Sequence, residues 1–203
     1  MPVLLARRGV DRVAGAGLDD RAVAAADQGD AGDDVQGLAQ GVGVPVGTGA
    51  GRDRVLERIE RFDATYSRFR PDSLVSRIAA APDGGRFAFP PDSLTLFGLY
   101  DRPLAATDGA VDPLVGRALE LLGYDAMYSL TPAAEAVVAA ERPAAWAADV
   151  VRDGPVIVTR RPLVIDVGAA GKGYLVDIVS ALLREAGFTR FVVDASGDLR
   201  QTP

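Results

Sequence analysis

The chain contains no cysteine and no histidine. Their absence excludes disulfides, thiolate or imidazole metal sites, a cysteine nucleophile, a Ser-His-Asp triad and any imidazole general base from its own residues. The chemistry left to it runs on Asp, Lys, Ser, Thr, backbone groups and a borrowed ion. Lysine is nearly missing too, since Lys172 is the one lysine among 22 basic residues and the rest are arginine. No run reaches the roughly 18 apolar residues that a bilayer requires. Arg7 and Arg8 follow the short apolar run at residues 3–6, whereas a signal peptide places its charge first. With neither signal peptide nor lipobox cysteine in the chain as given, a cytoplasmic location without membrane insertion is expected. The formal net charge is −6, so the overall field does not attract nucleic acid, and no such partner is expected.

What is present suits a globular protein with one core: 203 residues, 48% hydrophobic and 25% charged. The hydrophobic material is unevenly spread. Gly, Ala, Val, Asp and Arg supply 39 of the first 50 residues, which hold no aromatic, Ile, Lys, Glu or Ser. So little bulk to bury cannot offset the roughly 1–2 kcal/mol per residue that ordering a backbone costs. Residues 1–51 are therefore expected to form a low-complexity segment, disordered or non-native, the composition being that of a GC-rich gene read out of frame. Its glycine patterns at 15–17 and 41–43 neither follow a convincing strand nor complete GxGxxG, so they do not argue for a dinucleotide fold.

From Arg52 the pattern becomes periodic. Val55, Ile59, Phe62, Tyr66 and Phe69 fall on one helical face, and Pro71 ends it. A short helix is expected from Asp72 or Ser73, carrying Leu74, Val75 and Ile78, then a turn at 82–85 and a strand at 87–89. A helix capped by Asp92 or Ser93 should run through Leu96 and Tyr100 until Pro103 kinks or interrupts it. After the turn at Asp108 and Gly109, Pro113 should open another, with Val115, Leu119 and Leu122 inward and Gly123 beyond its end. More helix is expected at 132–148, broken at Pro143 and anchored by Trp146. The runs 150–151, 155–159 and 163–167 read as an antiparallel meander. A helix at about 171–186, closed by Gly187, and a strand at 191–193 complete an α+β domain of mixed helices and antiparallel strands.

The segment most suggestive of chemistry is Ile165-Asp-Val-Gly-Ala-Ala-Gly-Lys-Gly-Tyr174, read as a strand entering a glycine-rich turn that opens a helix. Such a turn admits a phosphate close to the backbone, the helix presents unpaired N–H groups, and Lys172 adds a point charge. The alternative is a glycine-rich turn with a solvated lysine. A nucleotide-kinase loop does not fit, because Gly173 stands where that motif needs a hydroxyl.

Four blocks in order, residues 65–77, 107–116 with 122–124, 166–177 and 193–200, resemble the FAD:protein FMN transferases, formerly called thiamine biosynthesis lipoproteins. The resemblance covers about residues 52–200 and makes 52–203 a partial flavin transferase domain. It implies the transfer of FMN from FAD onto a Thr or Ser hydroxyl of a target flavoprotein, with Mg2+ and release of AMP. Residue by residue it implies that Phe69 packs on the flavin nucleotide and that Ala110, Val111 and Asp112 line the FAD pocket. It further implies that Asp166 and Lys172 contact FAD and that the carbonyl of Ala169 is given to magnesium. Other readings stand beside these: Phe69 as the last core residue of its helix, Asp112 as a helix cap, Asp166 as an exposed strand end. The family completes its magnesium site with an acidic and a hydroxyl residue in a C-terminal segment that also carries a His block. The chain as given is expected to lack that segment and to be inactive, the alternative function being a flavin-nucleotide binding module without turnover. Leu114 and Gly171 also depart from the family pattern.

Overall fold

The computed structural model describes residues 21–24, 49–195 and 197–202. The glycine patterns at 15–17 and 41–43, and most of the segment set apart on composition, lie outside them. The chain divides into two compact units, residues 1–62 with 172–203 and residues 63–171, whose boundaries fall inside two helices.

The first unit comprises β1 (Arg21–Ala24), most of α1 (Gly49–Tyr66), most of α7 (Gly168–Glu185), β5 (Arg190–Ala195) and β6 (Asp198–Gln201). β5 is central, parallel to β1 and antiparallel to β6. Phe191, Val193 and Ala195 alternate inward along it, as a half-buried strand requires. The buried residues of the two helices follow the helical period: Val55, Ile59 and Phe62 on α1, and Leu175, Val176, Val179 and Leu183 on α7. Phe62 meets the ring of Tyr174 at 6.5 Å.

The second unit comprises α2 (Leu74–Ala79), β2 (Gly85–Ala88), α3 (Ser93–Ala106), α4 (Gly116–Leu121), α5 (Glu135–Ala140), α6 (Trp146–Asp149), β3 (Val150–Asp153) and β4 (Val156–Thr159). Its sheet runs β2-β4-β3, antiparallel throughout. An aromatic chain anchors the core, with Phe97 meeting Phe89 at 5.2 Å and Trp146 at 5.0 Å, and Tyr66 stacked on Phe89 at 5.9 Å. Ser73 caps α2, its Oγ accepting from Ser76 N at 3.1 Å.

The α+β class is the one observed, and several details differ from the sequence expectation. Residues 163–167 show the alternating burial of a strand, with Leu163, Ile165 and Val167 buried, but they form none; β2 supplies the sheet's third member. Alternating burial needs only extended backbone, whereas a strand also needs a ladder, and here Asp166 N donates to Pro113 O at 2.7 Å. Pro103 lies inside α3 without ending it. Near Pro113 the chain starts as a 3-10 turn, Pro113–Val115, before α4 begins. The tighter turn shifts the phase, so Pro113, Leu114, Gly116 and Leu121 are buried while Val115 and Leu122 are 40% and 67% exposed. Gly116 is glycine for a packing reason, since a Cβ there would come within 2.7 Å of Val164 O.

Candidate functional site

α1 ends at Tyr66, three residues short of the face drawn through Phe69. Phe69 is therefore not the last core residue of that helix but sits in the turn before Pro71, half-buried. Tyr128 stacks on its ring at 5.1 Å and 17°, and Tyr124 meets it edge-on at 5.5 Å. Both tyrosines come from the loop after α4, where Gly123 turns the chain at φ +91° and a Cβ would lie 2.4 Å from Thr131 N. Burial first, and the Tyr124 hydroxyl second, push the Tyr128 phenol above its ordinary value.

Arg68, which sequence reasoning did not single out, holds the site together. Its guanidinium lies 4.2 Å from the Phe69 ring centroid and 4.9 Å from that of Tyr124. Its Nε donates to Asp166 Oδ2 at 2.6 Å, with the side chains only 4% and 12% exposed. The other Asp166 oxygen accepts from Gly168 N at 2.6 Å, capping the start of α7. Asp166 is thus a part-buried clasp rather than an exposed strand end. Among the described residues, Arg68 Nη1 and Nη2 have no hydrogen-bond partner, and neither does the buried hydroxyl of Tyr100. Burial raises the Tyr100 phenol strongly, with the nearby amides of Ala170 and Ala169 opposing the rise and the Asp166 charge adding to it.

The segment expected to line a pocket reaches the same place through Pro113, whose carbonyl takes the Asp166 amide. Ala110 is exposed, and Val111 N donates to Thr107 Oγ1 at 3.0 Å. Asp112 uses both oxygens on backbone, accepting from Leu114 N at 2.7 Å and Trp146 N at 2.8 Å. It therefore does act as a cap, and it also fixes the start of α6.

Residues 168–173 are helical rather than a loop, which moves Lys172 from the first turn to the fifth residue of α7. In the first unit its Nζ lies 3.2 Å from Asp198 Oδ2, the two side chains 35% and 44% exposed. Ala169 is exposed at the second position of α7. Among the described residues no group of three or more Asp, Glu, His or Cys could hold a metal ion. One neutral carbonyl does not retain magnesium against water, so the described residues by themselves do not fit that ion.

The chain matches the ApbE family over residues 34–202. It belongs to the ApbE family. An FAD:protein FMN transferase from Vibrio cholerae is 28% identical over 151 residues, covering 73% of this chain and 44% of that protein. The chain spans about half the length of the curated relatives it matches. Among solved ApbE structures, the apo flavinyl transferase from Pseudomonas stutzeri is 27% identical with TM-score 0.64, covering 78% of this chain and 55% of its own. A mutant of the Vibrio cholerae flavin transferase aligns with TM-score 0.68 at 22% identity, over 77% of this chain and 55% of its own, and supports the shared fold. Among the described residues no helix is long and apolar enough to cross a membrane.

Proposed function

We propose that residues 52–203 are part of an FAD:protein FMN transferase and carry a nucleotide-binding portion of it. The proposed whole-protein activity moves FMN from FAD onto a Thr or Ser hydroxyl of a target flavoprotein and releases AMP. The observation that carries this reading is the Arg68–Asp166 pair, which joins an aromatic platform at Phe69 to the N-terminus of an 18-residue helix. A dinucleotide needs both kinds of surface, an apolar face for a ring and N–H donors for its phosphates. Phe69 offers the face. Ala110, Val111 and Asp112 are proposed to line the pocket, Asp112 through the backbone that it holds in place. Asp166 is proposed to act by orienting Arg68 and the start of α7, and Lys172 to contact FAD as a point charge. Magnesium, with Ala169 as a donor, follows only from the family resemblance, and no step is derived through it.

The second reading, a flavin-nucleotide binding module without turnover, is favoured by the lack of an acidic cluster among the described residues. One measurement tests both readings and a second separates them. Titration with FAD should show saturable binding; its absence would overturn both. Incubation with FAD, magnesium and a target flavoprotein, followed by in-gel flavin fluorescence, should leave the target unlabelled if the chain only binds. A labelled band at a normal rate establishes the transferase for this chain.

A further inference from the structure

Arg68 poses a physical problem that its ion pair does not solve. A guanidinium is donor-only, and a buried donor without a partner costs most of its desolvation energy. Asp166 takes Nε, while Nη1 and Nη2 are shielded from water with no partner among the described residues. The flanking rings of Phe69 and Tyr124 return part of that cost through their π faces but accept no in-plane hydrogen bond. Tyr100, 3% exposed, leaves a second protonated donor unpaired, and its surroundings include Asp166 and the first amides of α7. Donors of this kind call for an acceptor. With Nε committed, the two terminal nitrogens form the fork that matches two oxygens of one phosphate.

The cover over this fork is itself unusual. The loop that carries Tyr124 and Tyr128 holds Tyr128 and Leu130 at φ +49°, a left-handed conformation that neither residue type favours. It is closed by its own hydrogen bonds, with Asp125 accepting from Met127 N, Ser129 N and Ser129 Oγ at 2.9, 3.1 and 2.7 Å. Leu130 N donates to Gly123 O at 2.9 Å, while Met127 and Leu130 are 84% and 74% exposed. Its inward contacts are the two tyrosine rings, and Tyr128 occupies a face of Phe69 on which a planar ligand could stack.

We propose that Arg68 is a phosphate-binding residue of the nucleotide site, and that the loop of residues 123–130 covers it until a ring of the ligand replaces Tyr128 on Phe69. This rests on the flavin-nucleotide reading for the ligand's ring but not for its phosphate.

The test is titration calorimetry of the full chain and of Arg68→Met, Arg68→Lys and Tyr128→Ala, with FAD and with inorganic pyrophosphate as separate probes. FAD affinity should fall roughly tenfold to hundredfold in Arg68→Met, since a charge-assisted pair of bonds is lost. Arg68→Lys should fall less, because the charge stays and the fork goes. Tyr128→Ala should bind FAD more tightly, the competing ring being gone. Should Arg68→Met fail to melt cooperatively, the other two variants carry the test. Equal FAD affinity for the unaltered chain and the Arg68 variants would overturn the assignment while the flavin reading stands. Unchanged or weaker FAD binding by Tyr128→Ala would overturn the cover. Arg68-dependent binding of pyrophosphate without binding of FAD supports the phosphate site and sinks the flavin reading; binding of neither probe sinks both.

Discussion

Two ion pairs, one in each unit, use the same kinds of charge for opposite ends. Arg68 and Asp166 in the second unit meet at 2.6 Å with side chains 4% and 12% exposed, whereas Lys172 and Asp198 in the first unit meet at 3.2 Å and lie more than a third exposed. The exposed pair is screened by water and contributes about 0–1 kcal/mol to stability. The buried pair must offset the desolvation of both charges, and it still leaves two donors unmet. The first pair therefore carries a larger desolvation cost than the second, which keeps most of its contact with water. The comparison therefore separates an ion pair shielded from water from one that water screens.

The largest test of that contrast is Asp166→Ala. It leaves a guanidinium buried without a counter-charge and removes the cap on Gly168 N, so a loss of about 3–5 kcal/mol is expected in denaturant unfolding. A loss below about 1 kcal/mol would mean that the pair behaves like a surface pair and would break the comparison. Next comes Lys172→Ala. FAD affinity should fall roughly tenfold to hundredfold with loss of one charge-assisted bond, while the melting temperature without FAD stays nearly unchanged. Calorimetric titration beside thermal melts checks both halves. Equal affinity would return Lys172 to the role of a surface partner of Asp198.

Both members of this contrast were only partly legible in the sequence. Lys172 stood out because every other basic residue is arginine. Arg68 was hidden for the same reason, as one arginine among many, and its importance comes from where α1 stops. The periodic run 55, 59, 62, 66, 69 continues past the true end of the helix, because Pro71 forbids the helix beyond it but does not fix the residue at which it frays. Losing three helical residues places Phe69 in the following turn, half-buried against Tyr124 and Tyr128. The helix start at Ser73 and the helix end before Gly187 were readable because a local cap and a left-handed turn specify them, whereas α3 begins at Ser93 without the side-chain cap bond expected of Asp92 or Ser93. The strand expected at 87–89 is present as β2, but its place in the second sheet was not readable, since pairing β2 with β4 spans some seventy residues and no local pattern encodes it. The capping role of Asp112 followed from Pro113 beside it, but its second bond, to Trp146 N, depends on tertiary structure alone.

A third pair, Asp149 with Arg161, sharpens the contrast by titration. Arg161 at 2.9 Å, with the Ala145 amide, lowers the Asp149 carboxyl to about 2, well below the usual carboxylate value. A depressed folded pKa means stability that is fully present above the unfolded value, near 4, and lost as pH falls through about 2. Acid unfolding of Arg161→Met should show a smaller drop in stability between pH 5 and pH 2 than the unaltered chain, since the largest contact lowering Asp149 is gone and only the Ala145 amide and the more distant Arg142 remain. Equal drops would remove this pair from the acid response.

The smallest effect is expected from Arg200→Ala in the first unit. Arg200 pairs with Asp177 across side chains 44% and 58% exposed, and that exposure decides what the contact is worth. Water already solvates both charges, so removing Arg200 leaves Asp177 hydrated rather than stranded, and holding two long side chains in register costs rotamer entropy that is regained. The expected change is below about 0.5 kcal/mol in denaturant unfolding, shrinking further as salt rises to 1 M. Arg200 also lies in β6, where its stem can cover neighbouring apolar surface, so Arg200→Met serves as the control that keeps the stem and drops the charge. If Arg200→Met costs more than about 1.5 kcal/mol while remaining salt-sensitive, burial is not what separates the two units. The contrast between Arg68 and Lys172 would then need another cause.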